Sequence, residues 1–260
     1  MASLTFLGAA QTVTGSRHLL TTASGNRVLI DAGLFQGRKE LRLRNWAPWT
    51  SGKLDAVVLT HAHIDRTGFL PRLCAQGLVR RALCTEGTRD LAWLLLPDSG
   101  HLQEEEARYA NRRGYSKHRP ALPLYTAAAA ETAARRLEGF RYDVPVEVVD
   151  GGQVTFHQAG HILGSAFLDV RVDGKRILFS GDLGRYGTSV PVRAKVVQMT
   201  GFSAHADWME EDRWLARAPS PPDRVFLVHG EPPAIEAQRA RLSAKGWRVE
   251  APQPGQEVQL

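Results

Sequence analysis

Apolar residues fall in short runs bounded by Gly, Pro, Asn and Asp. Leu4 to Leu7, His18 to Leu20, Arg27 to Ile30, Ala56 to Thr60, Val146 to Val149, Val154 to His157, Phe167 to Val172 and Arg176 to Ser180 read as strands. Lys195 to Met199 and Arg224 to Val228 read the same way. Asp173-Gly174, between two of these runs, is a hairpin signal. Longer stretches carry helical character: Thr67 to Gln76, Thr88 to Asn111, Thr126 to Leu137, Ala206 to Arg217 and Pro233 to Lys245. In TAAAAETAARRL the leading Thr marks a start and the alanines favour propagation. Strands with helices between them predict an α/β domain spanning 1–260, with two mixed sheets packed face to face and helices outside.

Composition alters this picture at a few points. The two cysteines, Cys74 and Cys84, form no CxxC pair, so a disulfide framework or a cysteine-built zinc site is not expected and both read as buried thiols. The N-terminus carries no basic leader, and no run approaches the length of a bilayer span, which predicts a cytoplasmic chain with no membrane partner. A formal charge of +6 and a pI near 9.6 favour anionic partners such as nucleic acid or phosphate esters. From Arg66 to Arg141 there are thirteen Arg and Lys against eight Asp and Glu, so this stretch is the candidate electropositive face. It includes the loop NRRGYSKHRPALPLY, and a plain solvated surface accounts for the same charges equally well.

Candidate chemistry gathers at strand ends. His61, His63 and Asp65 follow the strand DAVVLT; His161 sits in AGHILGSAF before a strand; Asp182 in FSGDLGRY and His229 in FLVHGE each follow one. Imidazole and carboxylate are the ligands of hydrolytic zinc sites, where an open coordination position lets bound water ionise near neutral pH. One histidine after a strand is more often a hydrogen-bonded structural residue than a ligand. Six such positions together point to a metal. Arg66, directly after Asp65, cannot bind one.

HAHID, AGHILGSAF, FSGDLG, GFSAHAD and VHGE, with the early LIDAGLFQG, resemble the metallo-β-lactamase superfamily and within it the β-CASP ribonucleases of RNA processing. The resemblance implies an αββα sandwich with a metal centre at one edge of the sheets. It implies that His61, His63 and His161 hold one metal, that Asp182 bridges to a second, and that Asp65, Asp182 and His229 hold that second ion, with zinc the default, other divalent metals open to the same ligands, and the ion count, one or two, open. A metal-held hydroxide attacks phosphorus in that family. His205, in GFSAHAD, matches its proton donor and is counted as catalytic with Asp65 and Asp182. A rival reading makes Ser203 and Asp207 helix-start residues with His205 merely in their turn. Asp31 is expected to brace the metal loop, and Ser180 and Arg66 are candidates for substrate contact.

Two departures from the family pattern stand out. The pattern HxHxDH ends here in Arg66, where the family has a ligand of the second metal. A guanidinium about 4 Å from a divalent ion would be repelled by roughly 8 kcal/mol at an effective dielectric of 20. Arg66 then either turns away and leaves a weakened second site, makes the centre mononuclear, or grips a substrate phosphate; the expectation is that it turns away. In addition, Gly187-Thr188-Ser189-Val190 leads almost directly into PVRAKVVQMTGFSAHAD, so the β-CASP cap is expected to be missing near 187–192. That would open the cleft to small substrates and uncover apolar surface that a homodimer can bury. Together the departures suggest engineering or selection for a new activity. The expected function is hydrolysis of phosphodiesters or phosphotriesters in an open, metal-dependent site. The alternatives are a ribonuclease acting on single-stranded RNA and a catalytically weak nucleic-acid-binding homologue.

Overall fold

The computed structural model describes residues 1–116, 118–185, 205–218 and 220–260. The expected strand over Lys195–Met199, the short joint near 187–192 and Ser203 lie outside the described residues.

Thirteen strands are described: β1 (Ser3–Phe6), β2 (His18–Thr21), β3 (Arg27–Ile30), β4 (Leu54–Val58), β5 (Val79–Thr85), β6 (Leu137–Phe140), β7 (Pro145–Val149), β8 (Gly152–Gln158), β9 (Ala166–Val172), β10 (Lys175–Phe179), β11 (Val225–Phe226), β12 (Val249–Glu250) and β13 (Glu257–Gln259). A seven-stranded sheet runs β13-β1-β2-β3-β4-β5-β6, a four-stranded sheet runs β10-β9-β8-β7, and β11 pairs with β12. The helices are α1 (Lys39–Leu43), α2 (Ile64–Thr67), α3 (Leu70–Ala75), α4 (Glu86–Arg113), α5 (Ala127–Ala134), α6 (Trp208–Leu215) and α7 (Pro232–Ser243).

Alternation along the strands builds two apolar layers. Val28 and Ile30 of β3 meet Val154, Phe156, Leu168 and Val170 of the second sheet, while Leu29 faces the opposite way, into the layer formed by Leu73, Ala92, Leu96 and Ala130 of α3, α4 and α5. With both faces covered, β3 and β4 read as continuous apolar runs. On the far face of the second sheet, Trp214 of α6 packs edge-on against Phe167 of β9 at 5.5 Å. The order is helix, sheet, sheet, helix, an αββα sandwich.

The hairpin expected at Asp173-Gly174 forms, with both residues at positive φ (50° and 71°). Helix α4 carries Pro97 in its interior and continues through it, ending at Gly114 in the left-handed conformation. Cys74 and Cys84 are buried free thiols.

Strands β5 and β6 were not expected, because Arg80-Arg81 and Glu138 break the apolar runs that signal strands. Paired in parallel, they bring Arg81 Nε to 3.0 Å from Glu138 Oε1 on the neighbouring strand, while Arg80 is exposed. Helix α1 and the short strands β12 and β13 also escaped the sequence reading.

Candidate metal centre

Strands β3, β4, β5 and β6 run parallel, and the loops leaving the carboxyl ends of β3 and β4 supply one wall of the site. Asp31, the first residue after β3, is buried in the left-handed conformation at φ 58°. Such strain persists where the surroundings over-determine it. Here the Asp31 amide donates to the Val58 carbonyl at 2.9 Å, and its carboxylate accepts from the Thr60 amide at 2.8 Å and the Thr60 hydroxyl at 3.0 Å. That hydroxyl also lies 3.2 Å from His61 Nδ1. Having given its proton to Asp31, it accepts from Nδ1–H, which directs the Nε2 lone pair of His61 into the site. Gly33 of LIDAG is required by close packing: a Cβ there would sit 1.6 Å from the Asp65 carbonyl oxygen.

The second sheet supplies the other wall. His161 lies in the loop between β8 and β9, shaped by the Ser165 hydroxyl, which accepts from the His161 and Ile162 amides at 3.0 and 3.2 Å. Asp182 follows β10, and Gly184 just beyond it passes so close to the His161 loop that a Cβ would meet the Gly160 carbonyl at 1.9 Å. The Ala166 amide donates to the Thr60 carbonyl at 2.8 Å, tying β9 to the loop that carries His61.

These loops bring His61, His63, His161 and Asp182 together, with one ligand atom from each lying within 4.8 Å of all the others. His63 Nδ1 is 3.1 Å from His61 Nε2 and 3.3 Å from His161 Nε2. Asp182 Oδ2 is 3.6 Å from the first of those Nε2 atoms and 3.8 Å from the second. Four ligands tetrahedrally placed about 2.05 Å from an ion are separated by about 3.3 Å. Burial lowers the His61 pKa to about 2, so its imidazole is neutral with a lone pair to offer. The donor set therefore fits one divalent cation.

Arg66 does not turn away. It is 3% exposed, donates from Nη2 to Asp182 Oδ1, and lies 3.5 Å from Asp31 Oδ2 and 3.6 Å from Asp65 Oδ2. The expectation of an outward arginine fails for a geometric and an electrostatic reason. His63 is the N-cap of helix α2, so residue 66 stands nearly one turn on, over the same face. Carboxylates buried beside that face need a counter-charge. Held in this way, the guanidinium is not presented to a substrate phosphate in the described structure. His229, itself at φ 59°, places Nε2 3.8 Å from Asp65 Oδ2 and 4.0 Å from Asp182 Oδ1, so Asp65 and His229 stand on the arginine side of Asp182 rather than with the three histidines.

The charges respond to this arrangement. Burial pushes Asp31 up to about 6 against the pull of Arg66 and the Thr60 hydrogen bonds. Burial acts on Asp182 in the same direction, yet the hydrogen bond to His205 and the charge of Arg66 hold it well below the usual carboxylate range. Burial, then Arg66, lowers His229 to about 4.

His205 Nε2 is 3.2 Å from Asp182 Oδ2 and its ring lies 4.5 Å from that of His161. The hydrogen bond to Asp182 raises its pKa, and its side chain is 57% exposed, at the mouth of the site. The helix-start reading is also correct for Asp207, which caps α6 in a reciprocal box with Glu210. Ser180 is exposed, with its hydroxyl donating to the Gly181 carbonyl at 2.9 Å. Thr60, Ser165, Gly33 and Gly184 escaped the sequence reading as site residues. Their signal was their position inside the quoted motifs, beside the titratable residues.

A family described as the Zn-dependent metallo-hydrolase RNA specificity domain matches residues 189–252. The chain is 36% identical over 179 residues to Ribonuclease TTHA0252 of Thermus thermophilus, a match covering 68% of this chain and 37% of that protein. It is 31% identical over 199 residues to the transcription termination factor FttA of Methanocaldococcus jannaschii, covering 75% of this chain and 29% of that one. An RNase J-like protein of the same archaeon is 29% identical over 184 residues, with 70% and 37% covered. The chain thus spans less than two fifths of these relatives.

Proposed function

We propose, from the premise that this chain belongs to the β-CASP branch of the metallo-β-lactamase superfamily, that it is a zinc-dependent hydrolase of RNA phosphodiester bonds. The observation that carries this reading is the convergence of His61, His63, His161 and Asp182 on one point at the edge of the sandwich. The names of the relatives favour RNA, as does the basic C-terminal end of α4, where Arg112 and Arg113 lie 5.7 and 5.6 Å from the Tyr109 ring.

A divalent ion held by the four residues would polarise a phosphoryl oxygen and acidify water at the site. Around it, Thr60 fixes the tautomer of His61 through Asp31. His205, held at Nε2 by Asp182, keeps a proton at the mouth of the site for the departing oxygen. Arg66 holds Asp182, Asp65 and Asp31 in place through its ion pairs.

Small activated phosphate esters are the second substrate class, favoured by the exposure of His205. The purified chain is to be assayed on single-stranded RNA and on bis(p-nitrophenyl) phosphate, with and without chelator. RNA cleavage that is abolished by chelation and by His61→Ala, and that weakens steeply with salt, is expected. Chelator-insensitive cleavage would sink the metal-hydrolase reading, and turnover of the small ester alone would move the substrate to the second class.

A further inference from the structure

We propose that the Arg66 guanidinium is the second cation of this centre, so that the chain holds a single divalent ion at His61, His63, His161 and Asp182 and has no room for another. The inference rests on the metal-hydrolase reading and deepens it.

Asp182 divides its oxygens between two unlike neighbours. Oδ2 faces the imidazoles of His61, His161 and His205 at 3.6, 3.8 and 3.2 Å, while Oδ1 accepts from Arg66. A carboxylate bridging two cations shares its oxygens in the same way. Among the described residues, the remaining candidate ligands for a second ion on the arginine side are Asp65 and His229, with Oδ2 and Nε2 3.8 Å apart. An ion bound to them and to Asp182 Oδ1 would sit about 2.0–2.2 Å from each. That position is within bonding distance of the oxygen that Nη2 already contacts, and of an Asp65 oxygen 3.6 Å from Arg66 Nε. The guanidinium and a metal compete for one space.

Charge leads to the same conclusion. Asp31, Asp65 and Asp182 bring three negative charges to the pocket, and Arg66 with one divalent ion brings three positive ones. A second divalent ion would leave two positive charges uncompensated beside Asp31, Arg66 and Asp182, which are almost wholly buried, and the low-dielectric interior disfavours that. Arginine stays protonated in proteins, so this second cation is present whatever the metal supply.

The test counts zinc. The full chain is loaded with excess zinc, freed of unbound ion by gel filtration and analysed for metal per chain by plasma mass spectrometry. About one zinc is expected in the wild type, in Arg66→Lys and in Asp65→Asn, and about two in Arg66→His, where a neutral ligand replaces the cation. About two in the wild type overturns the proposal, as does about one in a folded Arg66→His variant. Should Arg66→His fail to fold, Asp65→Asn decides with the wild type: a fall in bound zinc on that substitution means Asp65 was a ligand and overturns the proposal. A chain that retains no zinc overturns this inference together with the metal-hydrolase reading. About one zinc with no RNA cleavage leaves the inference standing and removes only that reading of function.

Discussion

The two sides of Asp182 make opposite demands on their surroundings. On one side, His61 and His161 bring their Nε2 atoms to 3.1 and 3.3 Å from His63 Nδ1. On the other, a guanidinium is already enclosed by Asp31, Asp65 and Asp182. The histidine side is arranged to receive a cation, while the arginine side contains its own. One carboxylate serves both because its two oxygens point apart. The lesson is that a permanently charged side chain makes part of a metal-type pocket self-sufficient, whereas the imidazole part depends on what is bound.

This contrast can be broken from either side. The largest effect is expected from Arg66→Met, which leaves the buried carboxylates of Asp31 and Asp182 and the half-buried one of Asp65 without their counter-charge. It should cost about 3–5 kcal/mol in urea unfolding of the chelated chain, and a loss below about 1 kcal/mol would mean that the arginine side is not a closed ionic unit. His161→Ala addresses the opposite side: zinc affinity measured by competition with a chelating dye should fall by more than about 100-fold, beyond what loss of an outer partner produces. Its chelated form should unfold close to the wild-type midpoint, and a matching loss of stability there would blur the distinction between the two sides.

Thr60→Val tests the link between them, because one hydroxyl touches Asp31 and His61. Zinc affinity should drop roughly 10–100-fold, and unchanged affinity would show that the His61 ring is oriented by packing alone. The smallest effect belongs to Arg81→Ala. This arginine pairs with Glu138 at 2.7 Å, but both side chains are substantially exposed, at 30% and 41%. Solvent screening limits the loss to about 0–1 kcal/mol, and a cost comparable to that of Arg66→Met would contradict the argument that burial sets the strength of the Arg66 cluster.

Much of the sandwich was legible along the chain because its strands are short apolar runs between turn residues and helices α5 and α6 begin at Thr and Asp caps. Thr126 accepts from the Ala129 amide and Asp207 from the Glu210 amide, where those sequence signals stand. Strands β5 and β6 were illegible because Arg81 and Glu138 neutralise each other only after pairing and Arg80 faces solvent. Each strand taken alone looks too polar to be buried. The supporting residues of the site were hidden for a related reason: the Thr60 hydroxyl acquires its role from Asp31, 29 positions earlier, and a glycine such as Gly184 is required only because a separate loop passes against it.

Local sequence by itself determined the strand faces, the starts of α5 and α6, the hairpin at Asp173-Gly174 and the grouping of chemically capable residues at strand ends. These depend on backbone geometry and on neighbours a few positions away. Only the tertiary structure decided the direction of Arg66. Two of its three partners, Asp31 and Asp182, lie 35 positions before it and 116 after it, and the sheets bring them together. An exposed arginine extends into water, but one walled in by three carboxylates has its lowest free energy among them. The sign of that choice depends on burial, and burial is a property of the folded chain.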